Sequence, residues 1–322
     1  MLGAMSPCKP RPICAVIAPL MVLGLSSHRA AAARIEPVIF APGVISGAGN
    51  DADPAFSPDG NTVWFSRDRA ILVSHNVGGT WSPPEIAAFS GEWIDQQPTI
   101  APDGSFLVFV STRPSAPGAK PGRGNLWRVE RTKDGWAAPV VLPATVNRGT
   151  STWAPSIAGD GSLYFIAADK PGAPLRIWRS QWSRGQYQPA VAVTFGDPTT
   201  QDVDPAVAPD ESFIVFGSMH PGPDAHERLF IAFKTAGASG AWGAPIDLGV
   251  EINGRADHDT NEARLGPDHR TLYFATDRTM PITFPRTRSQ AISDLARITA
   301  WDNGALNIWR VSLAPWLDAP HG

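Results

Sequence analysis

Apolar side chains in this chain come in short runs of five or six, rich in β-branched and aromatic residues. TVWFS (62–66), FLVFVS (106–111), LYFIA (163–167), FIVFGS (213–218) and TLYFAT (271–276) are five such runs. That composition over so short a length predicts buried β-strands. Each run is preceded by a decamer that alternates and then turns: DADPAFSPDG (51–60), DQQPTIAPDG (95–104), TWAPSIAGDG (152–161), DVDPAVAPDE (202–211) and TNEARLGPDH (260–269). Asp-Gly signals a tight turn, because glycine accepts positive φ and the aspartate side chain bonds nearby backbone N–H groups. Each decamer therefore reads as a strand hairpinned to the run that follows it.

Two more strands complete each unit. The third is ILVSH (71–75), LWRVER (126–131), IWRSQW (177–182), LFIAF (229–233) or IWRVSL (308–313). The fourth carries an aromatic residue and then proline: WSPPEIAAF (81–89), WAAPVVL (136–142), YQPAVAV (187–193) and WGAPIDL (242–248). The turn aspartates Asp59, Asp103, Asp160, Asp210 and Asp268 are spaced by 44, 57, 50 and 58 residues. Four short antiparallel strands per repeat, at this spacing, predict a β-propeller; solenoid repeats are much shorter.

The fifth repeat lacks a fourth strand of its own. RIEPVIF (34–40) matches WAAPVVL (136–142) and is expected to supply it, closing the ring and removing an open β edge. The expected fold is all-β: a β-propeller of five blades, each of four antiparallel strands, closed by the N-terminal strand. Six blades is the alternative. The one unassigned stretch, 279–307, is shorter than the roughly 40 residues a blade needs, and SQAISDLARI (289–298) has a helical rather than a strand period.

The first 33 residues read differently. Lys9 and Arg11 precede the apolar ICAVIAPLMVLGL (13–25), and Ala31-Ala32-Ala33 offers a small-residue cleavage pattern. This is the form of a secretory signal peptide, and the apolar run is shorter than the ~20 residues of a membrane span. The expected organisation is a leader over 1–33, a single propeller over 34–316 and a tail over 317–322. Cleavage leaves 289 of the 322 residues and removes Cys8 and Cys14, the only two cysteines, so disulfides, thiolate metal sites and cysteine nucleophiles are not expected. It also removes three of the 27 Lys and Arg, against 30 Asp and Glu, taking the net charge from −3 to −6. That balance argues against nucleic acid and anionic membranes as partners.

PAFSPDGNTVWFSRD (54–68), PTIAPDGSFLVFVSTR (98–113) and EARLGPDHRTLYFATDR (262–278) resemble the WD-repeat-like propeller repeats of the TolB family. GAWGAPIDLGVEINGRADHDTNEARLGPD (240–268) is similar to a linked form, in which one blade leads into the next. The resemblance covers most of 35–313. It implies a periplasmic or secreted propeller that binds a protein partner, here without the separate N-terminal α/β domain of TolB itself. The related oligopeptidases carry a Gly-x-Ser-x-Gly elbow, which this chain does not have.

Strand order fixes the two faces. The Pro-Asp-Gly turns lie on one. The starts of the decamers and the long insertions (112–125, 168–176, 218–228 and 279–307) lie on the other, the natural place for a binding surface. The candidate ligand-binding residues there are Asp51, Asp53, Asp95, Gln96, Gln97, Trp153, Asp202, Asp204, Asp257, His258, Asp259 and Glu262. Clustered aspartates can hold Ca²⁺ through oxygen ligands, or they can cap the loops between blades. His220, His226 and His258 offer imidazoles that suit Zn²⁺. Trp127, Trp178 and Trp309 recur at one strand position and read as packing between blades.

The favoured expectation is a non-enzymatic, exported, monomeric module that binds an envelope protein or peptide, or a glycan, on its loop-rich face. Two alternatives stand beside it. One is a carbohydrate-active enzyme, glycosidase- or lyase-like, using Asp53, Asp204 and Glu262; the other is a structural scaffold in an envelope complex. Hydrolysis would need two carboxyls about 5–10 Å apart, one with a raised pKa.

Overall fold

A computed structural model describes residues 35–196, 200–219, 226–235, 241–254 and 258–319. The chain is a five-bladed β-propeller. The first blade is built from 51–56, 62–67, 70–77 and 85–86, the second from 95–100, 106–111, 125–132 and 140–141. The third takes 152–157, 163–168, 175–180 and 191–192, the fourth 201–207, 213–219, 228–233 and 246–247. The last is 260–265, 271–276 and 307–312, with 38–39 as its outer strand. Val38 faces Arg310 and Ile39 faces Trp309, so the N-terminal strand does close the ring.

The strand types follow from burial. Second strands have neighbouring blades on both sides and are mostly apolar; all of Phe106–Ser111 is buried. Their side chains fill clusters between adjacent blades. Val108, Val110 and Leu126 of the second blade meet Leu163, Phe165 and Trp178 of the third. Each large side chain so buried is worth roughly 1.5–3 kcal/mol. Trp127, Trp178 and Trp309 are buried, each under a guanidinium: Arg113 at 5.4 Å, Arg148 at 3.8 Å and Arg278 at 5.4 Å from the ring centre. Phe40 continues the closing strand and joins the last blade to the first, 5.2 Å from Tyr273 and 5.6 Å from Phe56.

The outer strands are shorter than the sequence pattern predicts. Only two residues pair in each of the first four blades, immediately after Pro84 or Pro139, or within two residues of Pro189 and Pro245. Proline has no N–H for the ladder, so pairing starts only beyond it. The preceding Trp81 and Trp136 instead lie in small hairpins that extend the third strands.

The long insertion of the last blade carries the helix Arg288–Ala300. A capping box starts it: Thr287 Oγ1 accepts from the Gln290 amide at 3.2 Å, and Gln290 Oε1 accepts from the Thr287 amide at 2.8 Å. None of its side chains is buried. No helix among the described residues is long and apolar enough to cross a membrane. A helical turn, Ala314–Leu317, follows the last strand.

Candidate functional site in the central channel

The inner strands carry the same irregularity at the same place. Pairing with the second strand slips between the second and fifth residues of every decamer, a β-bulge. At the third residue the backbone turns left-handed: Asp53 (φ 56°), Gln97 (53°), Ala154 (48°), Asp204 (48°) and Glu262 (53°). Left-handed backbone is uncommon for residues other than glycine, and bulges serve to re-aim a side chain. Five such residues, one per blade, ring the channel. Three are acids and one is an amide.

Their side chains form one network. Asp53 accepts from Ser66 Oγ at 2.8 Å and from Arg264 Nη2 at 2.8 Å. Gln97 Nε2 donates to both oxygens of Glu262, at 2.9 and 3.1 Å. Gln97 Oε1 accepts the Ala154 amide at 2.8 Å, and the Gln97 amide donates to Ser66 Oγ at 2.9 Å. One glutamine thus ties its own blade to the first, third and fifth. Arg264 lies within 3.7 Å of Glu262 as well and is only 4% exposed.

A fourth acid joins from outside the decamers. Glu227, just ahead of the third strand of the fourth blade, is hydrogen bonded to Asp204. It lies flat across Gly217, where an added Cβ would fall 1.8 Å from Glu227 Oε1. Only glycine leaves room for that carboxyl.

Burial pushes the carboxyls of Asp204, Glu227 and Glu262 upward, the last two well above the usual glutamate range. Neighbouring acids add to this, Asp204 for both glutamates and Asp53 for Glu262, whereas Arg264 pulls Asp204 and Glu262 back down. Two acid pairs result, Asp53 with Glu262 and Asp204 with Glu227, each with one member inclined to keep its proton.

Above the network, on the loop-rich face, opens a well of about 240 Å³. Asn50, Asp68 and Arg69 form its rim together with Gln96, and Asp53 and Glu262 reach it from below. Asn50 is locked to Asp68 by two hydrogen bonds of 3.3 Å.

The other candidate residues are placed apart from this network. Asp51, Asp95 and Asp202 open their inner strands and are buried or partly buried latches. Asp51 accepts from Arg67 and the Gly47 amide, both at 2.6 Å, and Asp95 accepts from Arg113 at 2.8 Å and the Gly91 amide at 3.3 Å. Asp202 accepts from Ser218 at 2.7 Å. Trp153 packs between the second, third and fourth blades against Gly124, where a Cβ would fall 2.6 Å from its ring. His258 contacts Asp277 at 3.2 Å, and His226 contacts Asp259 at 3.4 Å. Asp257 and His220 lie outside the described residues. Among the described residues, no three His, Cys, Asp or Glu side chains are arranged to hold a metal ion. Between the channel carboxyls the cation is Arg264.

Sequence reasoning passed over three members of the network, Ser66, Arg264 and Glu227. Arg264 had a visible signal: the aligned decamers have Ala55, Thr99, Ser156 and Ala206 at its position.

No family model matches the sequence, and no curated protein matches it. Solved structures share the fold. A putative TolB from Agrobacterium tumefaciens is 15% identical, with 71% of this chain aligned to 70% of that one at a TM-score of 0.48. A thermostable family-43 glycoside hydrolase is 12% identical over 74% of this chain and 86% of its own, at 0.50. An α-L-arabinofuranosidase from Podospora anserina, solved with cellotriose, is 12% identical over 86% and 96%, at 0.49. Likeness at this level is likeness of architecture, which hosts unrelated functions.

Proposed function

We propose that this is an exported, periplasmic or secreted propeller that binds a partner through the well on its loop-rich face. The observation that carries the proposal is the pairing of an open polar well with a floor whose groups are already satisfied. Asp53 has both oxygens engaged, by Ser66 and Arg264, and both Glu262 oxygens accept from Gln97. Such a floor is a rigid, preorganised surface rather than a set of free reacting groups. The well is smaller than a typical drug-sized pocket, so it fits one sugar ring or one polar side chain of a peptide.

Binding screens against glycans and envelope peptides test this, with Gln96→Trp as the variant that fills the well. The expected result is a ligand whose binding Gln96→Trp abolishes. A ligand whose binding ignores that substitution overturns the assignment of the face.

A glycosidase is the second reading, favoured by one observation. Asp53 and Glu262 both reach the floor of the well and contact the same Arg264 nitrogen, at 2.8 and 3.7 Å. Glu262 is inclined to keep its proton, as a general acid must. Turnover of chromogenic glycosides that Glu262→Gln abolishes would establish it over simple binding.

A further inference from the structure

The channel has a second opening, on the face of the Pro-Asp-Gly turns. A cavity of about 130 Å³ lies there, ringed by turn prolines Pro58, Pro102, Pro209 and Pro267. Its inner wall is the fifth residue of each decamer: Ala55, Thr99, Ser156, Ala206 and Arg264, all buried. Four of these are small, and the fifth places a guanidinium where its counterparts leave space.

Arg264 is not fully used. Nη2 donates to Asp53 and Nη1 to the Ala263 carbonyl at 2.7 Å, but Nε, also buried, has no partner. A buried donor without an acceptor is costly, so such groups are rare unless something supplies one. The hydroxyls of Thr99 and Ser156 stand in the same layer. Ser156 Oγ accepts the Val207 amide at 3.0 Å, which leaves its own proton to be donated elsewhere. The layer therefore offers several donors, behind an apolar collar. Burial pushes the Asp204 and Glu262 carboxyls upward.

We propose that this turn-face socket binds a small carboxylate, carried either by a free short acid or by the C-terminus of a peptide, with Arg264 Nε and the Thr99 and Ser156 hydroxyls as donors. The prolines would pack around the apolar stem of the ligand. The cavity limits the buried part to a few heavy atoms. This site is distinct from the well on the loop-rich face and does not depend on what binds there.

Titration of the full chain with sodium acetate, against sodium chloride at equal ionic strength, tests the socket. The readouts are calorimetry and the Arg264 Nε–H resonance. A ligand this small is expected to bind at about millimolar concentration. Trialanine with a free C-terminus and its amide form the second arm. Acetate binding alone identifies a free acid, and free-peptide binding at least about tenfold tighter than the amide identifies a chain terminus. Ala206→Leu fills the cavity and Thr99→Val removes one hydroxyl at constant shape; at least a tenfold loss is expected from the first and a smaller loss from the second. If Ala206→Leu fails to fold, Thr99→Val and the Arg264 resonance still decide. The proposal is overturned if neither carboxylate shifts that resonance, if chloride shifts it equally, or if a folded Ala206→Leu protein binds as the parent does.

Discussion

Arg264 and Asp53 stand 211 residues apart in sequence and 2.8 Å apart in space, and their ion pair joins the last blade to the first. Both side chains are almost wholly buried, at 5% and 3% exposure. Removing one partner of such a pair strands the other's charge, which costs about 3–5 kcal/mol, whereas replacing both with apolar groups can be nearly neutral. Asp53→Ala should therefore lower unfolding stability by about 3–5 kcal/mol in urea titrations, and Asp53→Ala/Arg264→Leu should recover much of it. Equal losses in the single and double variants would show that the pair does not act as a unit.

Gln97 is the hub of the ring. Gln97→Leu keeps its bulk but leaves the Ala154 amide without an acceptor and Glu262 without two donors. An unsatisfied buried amide alone costs about 1–3 kcal/mol, and the loss is expected at the upper end of that range. Hydrogen exchange should report it at the Ala154 amide before global unfolding does.

The raised carboxyls make stability depend on pH. A group with a raised folded pKa favours the native state fully below its unfolded value, and that contribution is lost as pH rises through the folded pKa. For Glu227 and Glu262 the loss begins as pH climbs past the ordinary glutamate value of 4.5. Glu227→Gln removes one titrating group, so its stability should fall less steeply than the parent's as pH rises above the ordinary glutamate value of 4.5. Parallel curves for the two proteins would refute the raised Glu227 carboxyl.

Gly217 sets where Glu227 can lie. Gly217→Ala places a Cβ 1.8 Å from Glu227 Oε1, so the flexible carboxyl must swing away from Asp204. The substitution should destabilise by about 1–3 kcal/mol, as overpacking does. Combined with Glu227→Ala it should cost much less than the two single changes together, a coupling that a double-mutant cycle measures directly.

Much of the fold was legible because it is repetitive. Each decamer announced an inner strand, the WAAPVVL-like segment at 34–40 announced the closing strand, and the weak helical period of 289–298 became the helix Arg288–Ala300. The bulge was not legible: five left-handed third residues include Ala154, Gln97 and Glu262, residue types that carry no turn signal. The site was half legible. Asp53, Gln97, Asp204 and Glu262 share one column of the repeat, so aligning the copies finds them together. Glu227 lies outside the repeat, in a variable insertion, and only the glycine opposite hints at it. Asp51 and Asp95 looked like their channel-facing neighbours in sequence, yet they sit two residues earlier, where the strand begins and loop amides need an acceptor.

The closing strand has a consequence for how the ring comes together. Ile39 pairs with Trp309, so the contact that completes the last blade bridges about 270 residues of intervening chain. Loop closure over that length costs on the order of 5 kcal/mol in chain entropy, and folding slows as such distant contacts accumulate. The strand made first must wait for the strand made last. Until they meet, Asn307–Ser312 keeps a bare row of backbone donors and acceptors. The two ends of the propeller therefore act as a clasp, fastened by the kind of distant contact that slows folding.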